Sequence, residues 1–324
     1  MEIIAGIDIG GTKCAVSIAE LGNPPRILDK RKIETMHCPS ETLSTLGMLL
    51  QELLTRYPDA DLKAIGISCG GPLNAEQGLI LSPPNLPGWD QIDCICPFQD
   101  LFHVPVSLQN DADACALAEW KWGAGQGCKH MIFLTFGTGM GAGLILNGQL
   151  YTGACNMAGE VGHVRFAKEG PVGYGKTGSF EGFCSGGGIA RLGQKMALDA
   201  LQQGNPPSFC VDLPLLQHIT AKSIGEAAQQ NDPLALSIFH TSGRYLGYGL
   251  SILIDLLNPE RIVIGSIYGR QQNLLESEMR DILEKECLSR SLNACTIVPA
   301  GLGEQIGDYA SLSVASYALT NSHT

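Results

Sequence analysis

Apolar runs and glycine-bearing turns alternate from the first residues of the chain. Ile3-Ile4-Ala5-Gly6-Ile7 and Cys14 to Ile18 flank Asp8-Ile9-Gly10-Gly11-Thr12-Lys13, and Arg26 to Ile33 follows with strand character. This pattern predicts a β-meander whose first turn is polar and glycine-rich. Leu43, Leu46, Leu49, Leu50, Leu53 and Leu54 recur at helical spacing, with Ser40 placed to cap the helix, and Ala64 to Ser68 reads as a buried strand. Gly70 to Gly88, rich in Pro and Gly, predicts a loop. Beyond the apolar Val104 to Leu108, Asn110 and Asp111 open an alanine-rich helix running to about Trp122.

The second half begins the same way. Met131 to Phe136 predicts a strand, Gly137-Thr138-Gly139-Met140-Gly141 a turn, Leu144 to Leu146 another strand and Asn147-Gly148 a hairpin turn. A loop is expected from about Thr152 to Gly188. Helices follow from Ile189 to about Gln202 and from about Pro233 to Leu257, then a strand Arg261 to Ile264, a helix from about Leu274 to Cys287, a strand Cys295 to Pro299 and a final helix. Two halves that each open strand, glycine turn, strand predict a duplicated α/β fold closing around a cleft. Gly123, Gly125 and Gly127 mark a break, so domains are expected at 1–122 and 123–304, with the terminal helix, about 305–324, packing back on the first.

Composition narrows the function classes. At roughly 150 residues per domain, a chain of 324 residues holds about two domains and needs no disulfide or metal staple for size alone. Its formal charge of −11, with no basic run longer than Lys30-Arg31-Lys32, disfavours a nucleic-acid partner. The 12 cysteines are scattered, with no paired CxxC spacing, which predicts reduced thiols and a cytoplasmic protein. The amino terminus lacks the basic and small-residue features of a signal peptide. The apolar stretch Leu250 to Leu257 is broken by Ser251 and Asp255 and is too short to span a bilayer, so no membrane is expected.

The 40 glycines draw attention to the two turns. Such turns bring backbone N–H groups close to an anion, and Thr12 or Thr138 adds a hydroxyl donor. Either turn alone is equally an ordinary hairpin; the pair, with Asp8 able to hold a hydrated Mg²⁺, points to a nucleotide polyphosphate. Asn110-Asp111 at a strand end could place a general base beside a phosphoryl acceptor, or simply cap a helix. Glu160, His163 and Glu181, with Asn85, form a set suited to gripping the hydroxyls of a polyol. Gly137 to Ala142 satisfies the dinucleotide-binding glycine pattern, yet a strand rather than a helix is expected to follow it. Gly170-Pro171-Val172-Gly173-Tyr174-Gly175-Lys176-Thr177 satisfies a P-loop pattern, but Ala167-Lys168-Glu169 and Gly178-Ser179-Phe180 supply neither the strand nor the helix such a loop needs.

Taken in order, these residues resemble the ROK family (repressors, uncharacterised reading frames and sugar kinases) of the actin-like ATPase, ribonuclease H-like fold. Asp8 to Lys13 is similar to its first phosphate turn, Asn110-Asp111 with Ala114, Ala118 and Glu119 to its catalytic segment, and Gly137 to Gly143 to its second phosphate turn. Glu160-Val161-Gly162-His163 and Glu181 to Gly186 resemble its sugar signature, and Leu257 to Gly265 its segment near the nucleotide. The resemblance implies a two-domain α/β protein with a central cleft that transfers the γ-phosphoryl group of ATP to a sugar, most often at the 6-hydroxyl of a hexose or hexose derivative. Asp111 would be the general base. Asn85, Asn110, Glu160, His163 and Glu181 would bind the sugar, while Asp8, Gly10, Gly11, Thr12, Lys13, Gly137, Thr138, Gly139 and Gly265 would hold the nucleotide. Mg²⁺ would sit near Asp8 through water, and a homodimer or homotetramer is the usual assembly.

Two departures stand out. Most of the family holds a structural zinc through the signature His and three cysteines, whereas the aligned positions here are Val172, Tyr174 and Ser179, so no zinc site is expected. Gly265-Ser266 stands where the family usually has two glycines. The resemblance implies that the family's repressors carry a DNA-binding helix-turn-helix before the first phosphate turn; here that turn starts at residue 8, so a member outside the repressor branch is expected. From other classes, a catalytically silent sugar sensor or scaffold and an ATP-hydrolysing protein of the same fold are the rival readings.

Overall fold

The computed structural model describes residues 1–321. Along the chain run β1 (Glu2–Ile9), β2 (Lys13–Glu20), β3 (Arg26–Glu34), α1 (Pro39–Thr55), β4 (Asp61–Cys69), β5 (Leu73–Asn74), β6 (Leu79–Leu81), β7 (Asp90–Asp93), α2 (Cys96–Phe102), β8 (Val106–Asn110) and α3 (Asp111–Trp122). Then follow β9 (Met131–Phe136), β10 (Met140–Leu146), β11 (Gln149–Tyr151), β12 (Val172–Gly173), β13 (Lys176–Thr177), α4 (Phe180–Phe183) and α5 (Gly186–Gln202). The chain continues through α6 (Ala221–Gln229), α7 (Pro233–Leu257), β14 (Arg261–Ile264), α8 (Ile267–Glu286), α9 (Ser289–Ala294), β15 (Thr296–Pro299) and α10 (Ile306–Asn321). The last residues of the terminal helix expected to reach 324 lie outside the described residues.

The chain divides into two compact units. The first contains residues 1–129, 143–158 and the stretch from 301, and the second contains 130–142 and 159–300. The first unit is built on a sheet of order β3-β2-β1-β4-β8, an antiparallel meander extended by parallel strands. One face is covered by α1, whose Leu43, Leu46, Leu50 and Leu53 pack with Ile7, Ile9, Val16, Ile18, Ile65 and Ile67. On the other, Ile4, Ala19 and Ala64 pack with Leu312 and Ala315 of α10. Gly66 makes that approach possible: a Cβ there would lie 2.9 Å from Val314 Cβ.

A second sheet has the order β11-β10-β9-β14-β15, with β9, β14 and β15 parallel. In the second unit α7 buries Ile238, Phe239, Leu246, Leu250 and Ile254. Small residues let α8 cross it closely, a Cβ on Gly243 falling 2.7 Å from Leu275 O.

Some local expectations are corrected. The residue capping α1 is Cys38, without a side-chain cap bond, because Pro39 takes the first helical position and supplies the needed φ itself; Ser40 lies inside the helix. The loop expected from Gly70 to Gly88 contains β5 and β6 of a three-stranded sheet, and that from Thr152 to Gly188 contains a 3-10 turn (Val161–His163), the β12–β13 hairpin and α4. Each of these is too short to establish a periodicity. The helix expected from Leu274 begins at Ile267, because Gln271 leaves helical geometry (φ −128°, ψ 24°) and splits its pattern.

Candidate functional site

In the first unit the carboxyl ends of three parallel-linked strands carry the polar residues. Asp8 pairs in register with Ser68 and Ser68 with Gln109, while Cys69 pairs with Asn110. Strand ends of this kind are where open α/β sheets bind ligands, because the chain there leaves the sheet and exposes its backbone groups. Beyond Asp8 the turn closes with Gly10 N donating to Lys13 O at 3.1 Å, and Thr12 and Lys13 are exposed. Gly11 lies against Asn85, whose Cβ would be 2.9 Å from a Cβ at position 11. The adjacent turn completes the cluster: a Cβ on Gly70 would lie 3.5 Å from both Asn85 amide atoms and 3.6 Å from Asp111 Oδ2. Asp8, Gly10, Gly11, Asn85 and Asp111 therefore converge, as their spacing in the chain would not reveal.

Asn110 is indeed a helix cap, its Oδ1 accepting from Asp113 N at 2.8 Å, while its amide nitrogen is not engaged by the cap. Asp111, the first residue of α3, plays no part in that cap. Its side chain is solvent-exposed, although much of the protein's mass surrounds it. Loss of hydration in those surroundings, and then the charge of Asp8, push its pKa up to about 7. That exposure still admits water or a ligand. Asp8 is also raised by burial, opposed by the Ser68 hydroxyl and by Lys30 and Lys32.

In the second unit Gly137 to Gly139 join β9 to β10, with Gly137 N donating to Gly139 O at 3.2 Å and Gly186 N to Gly137 O at 2.7 Å. Because β10 follows directly, the dinucleotide reading has no helix to rest on. Beside this turn is a cavity of about 870 Å³, lined by Thr138, Gly187, Thr220, Lys222, Arg270 and Gln271 among others. Its size and its donor-rich wall fit a nucleotide. Gly265 is buried at the end of β14, its N–H donating to Leu134 O at 2.9 Å. Of these wall residues, Thr220 carries a sequence signal, the cap Thr220-x-x-Ser223 that starts α6, and Lys222 lies within it.

The residues of the predicted sugar signature lie in the same unit. Gly162 is buried between Met140 and Glu181, a Cβ there coming within 3.3 Å of Glu181 Cβ. Glu181 Oε2 accepts from Met140 N at 3.2 Å, tying the signature to the glycine turn. Glu160 is exposed, and its carbonyl accepts from His163 N at 3.2 Å. The imidazole of His163 meets the Tyr174 ring edge to face, with centroids 5.0 Å apart. The zinc implied by family resemblance does not fit the residues around this His. Val172 has no donor, Tyr174 offers a phenol, and buried Ser179 uses its hydroxyl to cap α4.

Two strand–glycine turn–strand units on a mixed α/β framework match a protein of the actin-like ATPase fold. The ROK family model matches residues 4–315, and the chain belongs to that family. It is 32% identical over 308 residues to a glucokinase of Halalkalibacterium halodurans, covering 93% of this chain and 91% of that one. A ROK glucokinase from Streptomyces griseus, solved with glucose and AMPPNP, superposes with a TM-score of 0.75 at 27% identity, covering 97% of this chain and 99% of that one. The xylose repressor of Bacillus subtilis is 26% identical over 302 residues, covering 92% of this chain and 73% of its own. No helix among the described residues is long and apolar enough to cross a membrane.

Proposed function

We propose that this protein is an ATP-dependent sugar kinase acting on the 6-hydroxyl of a hexose or hexose derivative. The observation that carries the reading is the convergence of Asp111 and Asn85 on Gly70, at the strand ends beside the Asp8 to Lys13 turn, where burial and the charge of Asp8 push the Asp111 carboxyl up to about 7. A base poised near neutrality takes a hydroxyl proton most effectively, because an appreciable fraction of it is ionised and that fraction is still strongly basic. Asp111 accepts that proton as the sugar oxygen bonds to phosphorus and the bond to the ADP oxygen breaks.

Asn85, Asn110, Glu160, His163 and Glu181 are the proposed sugar ligands, and each supplies donors or acceptors suited to hydroxyls. The turns Gly10 to Lys13 and Gly137 to Gly139 offer backbone N–H groups to phosphate oxygens, and the cavity at Thr220, Lys222 and Arg270 takes the nucleoside end. Asp8 is the residue that would hold Mg²⁺, and the ion would then neutralise charge on the phosphates.

The test is ADP release from Mg·ATP against a panel of hexoses, N-acetylhexosamines and β-glucosides, with Asp111→Asn alongside. One sugar should stimulate release strongly, and the variant should lose about a hundredfold or more in turnover. Sugar binding without ADP release would instead support the sensor reading that the xylose repressor relationship brings with it. Release independent of sugar would support an ATP hydrolase.

A further inference from the structure

Segment 170–180, where Val172, Tyr174 and Ser179 replace the cysteines of the zinc-holding pattern, has its own architecture. Strands β12 and β13 pair in register, Val172 with Thr177 and Gly173 with Lys176, leaving Tyr174 and Gly175 as a two-residue turn. Both turn residues have positive φ, 42° and 73°, the requirement of a type I′ hairpin. Glycine adopts this conformation readily, whereas a tyrosine there is held by its surroundings. Its ring is more than half exposed, yet it lies against the His163 imidazole at 5.0 Å and 82°, within the range of favourable edge-to-face pairs.

The same hairpin grips the other end of His163, for Lys176 Nζ donates to the His163 carbonyl at 2.7 Å. The hairpin is itself fixed: Gly178 N donates to Pro171 O at 3.0 Å, Phe180 N to Val164 O at 2.8 Å, and Ser179 Oγ to Gly173 O at 3.4 Å. We infer that Tyr174, assisted by Lys176, is a positioning residue that holds the His163 imidazole in place without a metal. The inference rests on His163 being a sugar ligand, as proposed above. A neutral imidazole carries one donor and one acceptor nitrogen, the pair that a sugar hydroxyl matches.

The test uses the full chain with Tyr174→Ala, Tyr174→Phe, His163→Gln and the Tyr174→Ala/His163→Gln double variant. The ¹H–¹³C imidazole signals of His163, assigned by their loss in His163→Gln, should move in Tyr174→Ala and return close to wild type in Tyr174→Phe. With the sugar that the ADP-release panel identifies, Tyr174→Ala should raise its KM about three- to tenfold, the worth of one aromatic pair, and leave the KM for ATP unchanged. The double variant should bind sugar no worse than His163→Gln alone. Unmoved imidazole signals, additive losses in the double variant, or stoichiometric zinc by elemental analysis would each overturn the inference. Additive losses would mean that Tyr174 touches the sugar itself. If no sugar is phosphorylated, the kinase reading fails, while the imidazole signals still decide whether Tyr174 holds His163.

Discussion

Ser68 and Asp8 face each other in register on β4 and β1, and the Ser68 hydroxyl donates to Asp8 Oδ1 at 3.3 Å. This bond favours the charged form of Asp8, and that charge is one of the two causes that raise Asp111. A general base works only when deprotonated. The kcat/KM for sugar is therefore expected to fall as pH drops through about 7 and to level off above it. Asp8→Asn removes the Coulombic cause and leaves burial, so its acid limb should move to lower pH even though turnover falls. Paired pH–rate profiles check this, and an acid limb that stays in place would disconnect the two carboxyls.

The same rise carries a cost in stability. Folded Asp111 binds its proton more tightly than the unfolded chain does, whose pKa is near 3.9. Its contribution is therefore fully present below about pH 4 and lost as pH climbs through about 7. Asp111→Asn is uncharged throughout and escapes that loss. Thermal unfolding across this range should show the variant melting above wild type at pH 8, with the gap closing toward pH 4. A gap independent of pH would mean that the folded protein does not raise this carboxyl.

Ser266 occupies φ 50°, ψ −104°, a conformation that glycine adopts readily and a side chain strains. Arg270 Nη2 donates to the Ser266 hydroxyl at 2.8 Å on the wall of the nucleotide-sized cavity. Ser266→Gly relieves backbone strain of a few kcal/mol at most and gives up that bond and some unfolded-state restriction, for a net gain of about 1 kcal/mol. Denaturant unfolding measures it. A loss of stability would show that the Arg270 bond outweighs the strain.

Much of the framework was legible because long elements repeat their periodicity. The spacing of Tyr245, Leu246, Gly249, Leu250, Leu253 and Leu257 marks α7, and Asn147-Gly148 marks the β10–β11 turn, where both residues have positive φ (54° and 73°). Asn110 illustrates a different limit: cap and ligand use the same residue types, and only the bond to Asp113 N shows that the cap is real. The convergence of Gly70, Asn85 and Asp111 was not legible, since it depends on a loop folding back across strand ends. Nor was the Tyr174 turn, where tyrosine takes a conformation that local preference assigns to Asn or Gly.

Lys176 separates two chemistries that the sequence alone leaves side by side. In a P-loop its ammonium would reach a nucleotide phosphate from the start of a helix. Here it stands on β13 of a two-stranded hairpin, its ammonium bonded to the His163 carbonyl, and the next helix, α4, begins only at Phe180. Lys176→Ala should therefore leave ATP binding unchanged while loosening the His163 turn. The loss of one charge-assisted hydrogen bond on a partly buried group predicts about a tenfold weaker KM for sugar. Isothermal titration with AMPPNP and initial rates at varied sugar read the two effects separately. Lost nucleotide binding with an intact sugar KM would reverse the assignment and make segment 170–177 a phosphate loop.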